Sequence, residues 1–353
     1  MSDEPPANPQ AEPEASAPGS RRTEVSHAAG DRQTPRPRRW RWSLLGVLGL
    51  CGLFVTVWWQ TRGPSVEEIE TEIQALGGDV ETEAIRPPGI LNRLPATWAN
   101  RIAHWRTISA IRAGECPVTD ADLVRWGKLR TLRFLLIDST KVTDAGLVHL
   151  SGLTNLEGLS LDSTQVADAG LVHLRGLTNL EWLTLGSTQV TDAGLVHLSG
   201  LTNLEGLSLD STQVTDAGLV HLRGLTNIKS LHLDSTAVTD AGLVHLRRLT
   251  NLEVLSLDST AVTNAGLVHL SGLPNLEWLY LNSTQVTDAG LVHLSGLTNL
   301  KGLHLDSTQV TDVGLVHLRG LTNLEFLILE HTQVTEAGIV EFQKQHPSVH
   351  VKY

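Results

Sequence analysis

Two patterns of apolar residues divide this chain. Between Trp42 and Trp59 runs WSLLGVLGLCGLFVTVWW, eighteen residues without a charge, which as a helix would span about 27 Å, close to the roughly 30 Å hydrocarbon core of a bilayer. Trp40 and Trp42 stand at one end and Trp58 and Trp59 at the other, the interfacial placement that indoles favour in a spanning helix. From Ile108 onward the pattern is instead periodic, with a 24-residue unit typified by LTNLEGLSLDSTQVTDAGLVHLSG. In one copy Leu159 and Leu161 alternate with polar residues as a short strand, and Leu171, Leu174 and Leu177 follow at helical spacing. The acidic or amide residue that opens the helical half recurs from Asp120 to Glu336 in ten copies without an insertion. Each copy buries its apolar face only against its neighbours, so both ends need covers.

Around these two regions the chain divides into five parts. Residues 1–41, rich in Pro, Ala, Ser and Arg, are expected to be a disordered cytoplasmic tail. Residues 42–59 form the transmembrane helix, and residues 60–107 a linker and N-terminal cap. Ser65 and Glu68 give a capping-box pattern ahead of Val66, Ile69, Ile73 and Leu76, and a second helix is expected around Pro95 to His104. The repeats occupy 108–346, and 347–353 close the array, with Val349 and Val351 in an edge strand. Arg36, Arg38, Arg39 and Arg41 precede the apolar run and only Arg62 closely follows it, which places the N-terminus in the cytoplasm and the repeats outside. A cleaved signal peptide is the competing reading, but the leader is long and no small-x-small site follows the run.

The repeat carries L-x-x-L-x-L-x-x-(N/C)-x-L, seen as Leu156, Leu159, Leu161, Thr164 and Val166. It resembles the leucine-rich-repeat family. The V-T-D-A-G-L half is similar to the cysteine-containing, ribonuclease-inhibitor-like subclass, known from F-box adaptors and from bacterial proteins of near-identical copies. The resemblance implies an α/β solenoid, a horseshoe with a parallel concave sheet and short convex helices, and partner binding rather than catalysis. The ladder position, usually Asn or Cys, is here Thr in nine copies and Cys116 in the first. Each Thr is expected to turn inward and satisfy loop backbone groups. Thr191 and Asp192 read as a helix N-cap, and where Ala167 replaces the Thr that role passes to Asp168.

Charge and candidate chemistry narrow the function. The net charge is -11, and residues 1–42 hold seven Arg against six acids, so the folded part is acidic and nucleic acid is not expected as a partner. The cysteines are Cys51, in the apolar run, and Cys116, in the first copy, which offer no disulfide framework. A His column from His149 to His317 lies in the helical half, where neighbouring helices are too far apart for one metal ion, and reads as a solvated face. Strand-end acids such as Asp210, Asp234 and Asp258 read as hydrogen-bond acceptors for the Ser-Thr turn that follows each; a basic partner facing the row and a bound Ca²⁺ ion are the alternatives. Asn282-Ser283-Thr284 matches a glycosylation triplet and reads as repeat drift. Asp, His and Ser recur identically instead of converging on one unique cluster, so no catalytic site, metal or cofactor is expected.

What varies is the exposed strand column, including Phe134, Trp182, Trp278 and Phe326, and the column beside it, with His232, Tyr280 and His304. These point to the concave face, outside the core, so their variation reads as stored recognition specificity, with drift at unconstrained positions as the alternative. Trp278 and Tyr280 beside Gly302 are expected to make a raised ridge with an adjoining hollow, and Trp182 a second anchor. The reading is therefore a single-pass cell-membrane protein that displays a scaffold for a protein or glycan ligand. A cytosolic adaptor of a multiprotein complex and a structural envelope protein are the alternatives.

Overall fold

The computed structural model describes residues 65–84 and 106–353, all within one compact unit spanning Arg62–Tyr353. The tail, the 42–59 segment and the expected helix at 95–104 lie outside the described residues. Among those described, no helix is long and apolar enough to cross a membrane.

The repeats form a solenoid. Twelve strands make one sheet in strict chain order: β1 (Asp79–Ala84), β2 (Arg106–Arg112), β3 (Phe134–Leu136), β4 (Gly158–Ser160), β5 (Trp182–Thr184), β6 (Gly206–Ser208), β7 (Ser230–His232), β8 (Val254–Ser256), β9 (Trp278–Tyr280), β10 (Gly302–His304), β11 (Phe326–Ile328) and β12 (His350–Lys352). Leu159 pairs with Leu183 and Leu183 with Leu207, so the register advances by the sequence period. From β2 to β11 each strand is followed by a short helix beginning at the repeated acid or amide, as in Asp192–Leu195. Leu, Val and Ile from both halves form one continuous core with almost no exposure.

The N-terminal end is covered by α1 (Val66–Leu76). Ser65 and Glu68 cap it reciprocally, Gly77 ends it at φ 96°, and Ile69 and Ile73 enter the core. A feature not anticipated from the sequence follows: β1 pairs antiparallel with β2, so the sheet is parallel only from β2 onward. At the other end Phe342 and His346 stack at 4.5 Å, and β12 adds parallel to β11, with Val351 opposite Leu327.

Three sets of side chains bind one copy to the next, and they revise the roles assigned to the polar residues. Asp192 does not cap its own helix; its two oxygens accept from the N–H and hydroxyl of Thr215, in the next copy, at 2.7 and 2.6 Å. Thr215 caps its own helix by accepting from Ala217 N–H. Where Ala167 replaces the Thr, no side-chain cap exists and Asp168 does not supply one; it accepts instead from Thr191. The Gly of each Ala-Gly step is required by this link, since a Cβ on Gly218 would collide with Asp192 Oδ1. The second set is at the strand ends: Asp210 accepts from Asp234 N–H at 2.8 Å, and Asp234 from Asp258 N–H at 2.8 Å. These acids therefore serve the neighbouring copy, not the turn that follows them. In the third, Asn203 donates to the Thr178 carbonyl at 2.9 Å, and equivalents recur along the array. The inward Thr behaves as expected: Thr212, buried, donates to the Leu209 carbonyl at 2.6 Å. Between Asp and Thr the Ser takes a left-handed conformation, as at Ser211 with φ 55°. Its N–H donates to the Asp234 carbonyl at 2.7 Å, which offsets the roughly 1–2 kcal/mol that a non-glycine residue loses there.

Candidate binding face

The exposed face of the sheet carries the side chains that differ between copies, because the helical half and the strand ends are committed to links between copies. Phe134, Trp182, Trp278 and Phe326 all project from it. Trp182 is 47% exposed and Phe326 38%, whereas Tyr280, His232 and His304 are half-buried.

The aromatic rings do not stand up from the sheet. Phe134 lies across Gly158, Trp182 across Gly206 and Trp278 across Gly302, leaving no room for a Cβ on any of these glycines, all of which are buried. The expected hollow beside Trp278 is therefore filled by the indole itself. Without a side chain, Gly lets a ring rest on the neighbouring strand, and this ring-on-glycine seat was not read from the pattern of the columns.

From β9 to β12 the rings merge into a belt. Trp278 stacks on Phe326 at 5.7 Å, Tyr280 meets His304 at 4.4 Å, and Phe326 meets His350 edge-on at 6.1 Å. Burial pushes the His304 imidazole below its ordinary pKa, opposed by Asp306 and Asp258. Burial raises the Tyr280 phenol, and the charges of Asp258 and Asp234 add to it.

Around Trp182 the neighbours are small, and a hollow of about 210 Å³ remains, with Thr184, Ser208, Asp210, Ser230 and His232 around it. Burial raises the Asp210 carboxyl, and the charge of Asp234 contributes in the same direction. Asp258 is raised by burial and again by Asp234. Among the described residues Asp210, His232 and Asp234 are the one group of three metal-type ligands, with donor atoms within 4.8 Å of one another.

The remaining candidates fall elsewhere. On the helical side His197 accepts from Arg175 at 2.5 Å and His245 accepts from Arg223 at 2.9 Å; burial and the adjacent Arg push both imidazoles down. The Asn282 amide donates to Asp258 Oδ2 at 2.8 Å, so the nitrogen of the triplet is engaged in the strand-end ladder.

A leucine-rich-repeat family model matches residues 226–286 and 274–334, which lie within the array and together span β7 to β11. The chain is a leucine-rich-repeat protein. Solved structures with similar repeats include internalin C2 of Listeria monocytogenes, at 32% identity over 62% of this chain and 84% of that one, with a TM-score of 0.48. A second internalin of the same organism is 18% identical over 74% of this chain and 92% of its own, with a TM-score of 0.39. A leucine-rich-repeat protein of Leptospira interrogans is 18% identical over 65% and 74%, with a TM-score of 0.39. No curated protein sequence matches the chain.

Proposed function

We propose that this leucine-rich-repeat protein is a non-catalytic scaffold, anchored in the cell membrane by residues 42–59, that binds a protein partner through the exposed face of its sheet. One observation carries the binding half of this reading. Side chains that differ between copies are concentrated on the exposed face of the sheet, outside the three sets of hydrogen bonds that recur from copy to copy, and a large aromatic residue, Trp182, remains nearly half exposed in the middle of it. Exposed Trp and Tyr are the residue types most often found as interface hot spots. The anchoring half is supported by the uncharged eighteen-residue run, its flanking tryptophans and the arginines before it.

Protease added to intact cells should remove the repeats and spare the segment before Arg41. Full protection of the repeats would favour a cytosolic adaptor and end the displayed-scaffold reading. Cross-linking in the native membrane should capture a partner, and capture should fall when face residues such as Trp182 are truncated. Capture insensitive to every substitution on the face would place binding elsewhere.

A further inference from the structure

The hollow beside Trp182 differs from the rest of the face in combining an aromatic wall with an acidic floor that pairs with no Lys or Arg among the described residues. The benzo edge of the Trp182 indole lies over Gly206, and the residue remains 47% exposed. Asp210 lies half-buried at the base, and Asp234 follows one strand along. Among the described residues neither carboxylate forms an ion pair with Lys or Arg. Lys229, at the entry to β7, is held at 2.8 Å by Glu205. The imidazole of His232 lies 3.0 Å from Ser230 Oγ, at the rim. Asp210 already accepts from Asp234 N–H and from Ser208 Oγ, and Asp234 Oδ1 from Asp258 N–H and Ser256 Oγ. Each carboxylate oxygen has two lone pairs, so acceptor capacity remains toward the hollow.

We infer that this hollow takes an arginine side chain of the protein partner, its guanidinium stacked on Trp182 and its N–H groups directed at Asp210 and Asp234. The inference rests on the reading of the sheet face as a protein-binding surface and names the chemistry of what that surface recognises. An arginine satisfies both features at once: a planar cation stacks on an indole face, and its fork of donors reaches two carboxylates. A lysine supplies the charge but not the plane. A divalent ion fits less well. The donor atoms of Asp210, His232 and Asp234 lie within 4.8 Å of one another, but an ion would use only the carboxylates and the imidazole and leave the indole face without a role. The volume of about 210 Å³ also exceeds what one ion requires.

Asparagine substitutions test the charge without breaking the ladder, because Asn282 already occupies the equivalent position and accepts from Asp306 N–H at 2.8 Å. The full chain in detergent, with its tryptophan indoles labelled with nitrogen-15, is titrated with a capped Gly-Gly-Arg-Gly-Gly peptide. The same peptide carrying citrulline, the uncharged isostere of arginine, serves as the control. The Trp182 resonance, identified by its loss in Trp182→Phe, should move with the arginine peptide and stay with the citrulline peptide. Asp210→Asn with Asp234→Asn should weaken the response about tenfold or more, the scale of losing a hydrogen bond to a charged group. Equal responses to both peptides, or a response unchanged in the double variant, would overturn the pocket. So would Ca²⁺ or Zn²⁺ moving the same resonance at micromolar concentration and blocking the peptide. Partner capture retained by the double variant but lost with other face substitutions would remove the arginine pocket and leave the binding face standing; capture insensitive to all of them would remove both.

Discussion

Trp182 and Trp278 sit at equivalent positions four copies apart, and each rests on the glycine of the next strand, yet they form different surfaces. Beside Trp182 the second column reads Thr184, Ser208 and His232, and a hollow stays open above Asp210. Beside Trp278 it reads Tyr280, His304 and Ile328, and the space fills with rings that continue to Phe326 and His350. The same aromatic residue on the same seat is a pocket wall in one place and part of a packed pad in the other. The column two residues along decides which, so aromatic identity alone does not locate a recognition site on this sheet. The open hollow is suited to a ligand, while the closed belt contributes to holding the last strands together.

The sharpest way to break this contrast is to remove the seats. Gly302→Leu must lift an indole that is also stacked on Phe326, and it is expected to cost about 2–3 kcal/mol, toward the upper end of overpacking penalties. Gly206→Leu displaces a ring that is free to swing into solvent, so it is expected to cost nearer 1 kcal/mol while closing the hollow and abolishing partner capture. Chemical denaturation followed by circular dichroism would show the difference. Equal costs would mean that the belt adds nothing to stability.

Truncating the rings should show the same asymmetry at smaller scale. From sequence alone Trp278→Ala with Tyr280→Ala should leave thermal unfolding unchanged, because neither residue belongs to the Leu core. The ring contacts revise that expectation to a loss of about 1–2 kcal/mol, since aromatic pairs of this geometry are worth roughly 0.5–1.5 kcal/mol each. Trp182→Ala should stay within about 0.5 kcal/mol, as for exposed positions in general, and should act on binding instead. A Trp182→Ala variant that unfolds as readily as the double variant would contradict the distinction.

The repeat itself was legible because its period is the register of the sheet: once Leu159 and Leu183 are recognised as equivalent, their pairing and the burial of both follow. The capping box at Ser65 and Glu68 was legible for a similar reason, since its partners are three residues apart. The bonds between copies were not. Asp192 and Thr215 are separated by 23 residues, and local reasoning keeps each on its own helix, which is right for the cap that Thr215 makes and misses the bond that Asp192 makes to it. The strand-end acids were misassigned in the same way, their acceptors being used by the next strand. The hollow at Trp182 did leave a trace, in the run of small residues Thr184, Gly206 and Ser208 beside a Trp, but ring direction across the sheet is set by stacking and not by the order of residues.

The smallest expected effect is a dependence on pH specific to the belt. Burial holds the His304 imidazole below its ordinary value, with Asp306 and Asp258 opposing and the Tyr280 ring packed against it. The unfolded chain therefore takes up this proton first as pH falls through about 6.5, so the native state is fully favoured above that value and loses stability from there down to the lowered native pKa. His197 and His245 are shifted in the same direction on the helical side, and the test must be a difference. The buried carboxyls of Asp210 and Asp258 are raised, so the native state takes up their protons first. Their contribution has the opposite sign: stability is regained as pH falls through those raised values toward the ordinary carboxyl range near 4. Melting curves of the full chain and of His304→Gln, taken from pH 8 to pH 5, should run parallel at the alkaline end, and the parent should fall further below pH 6.5. Curves that remain parallel throughout would show that His304 is as easily protonated in the folded chain as in the unfolded one, and that the belt around it is open to water.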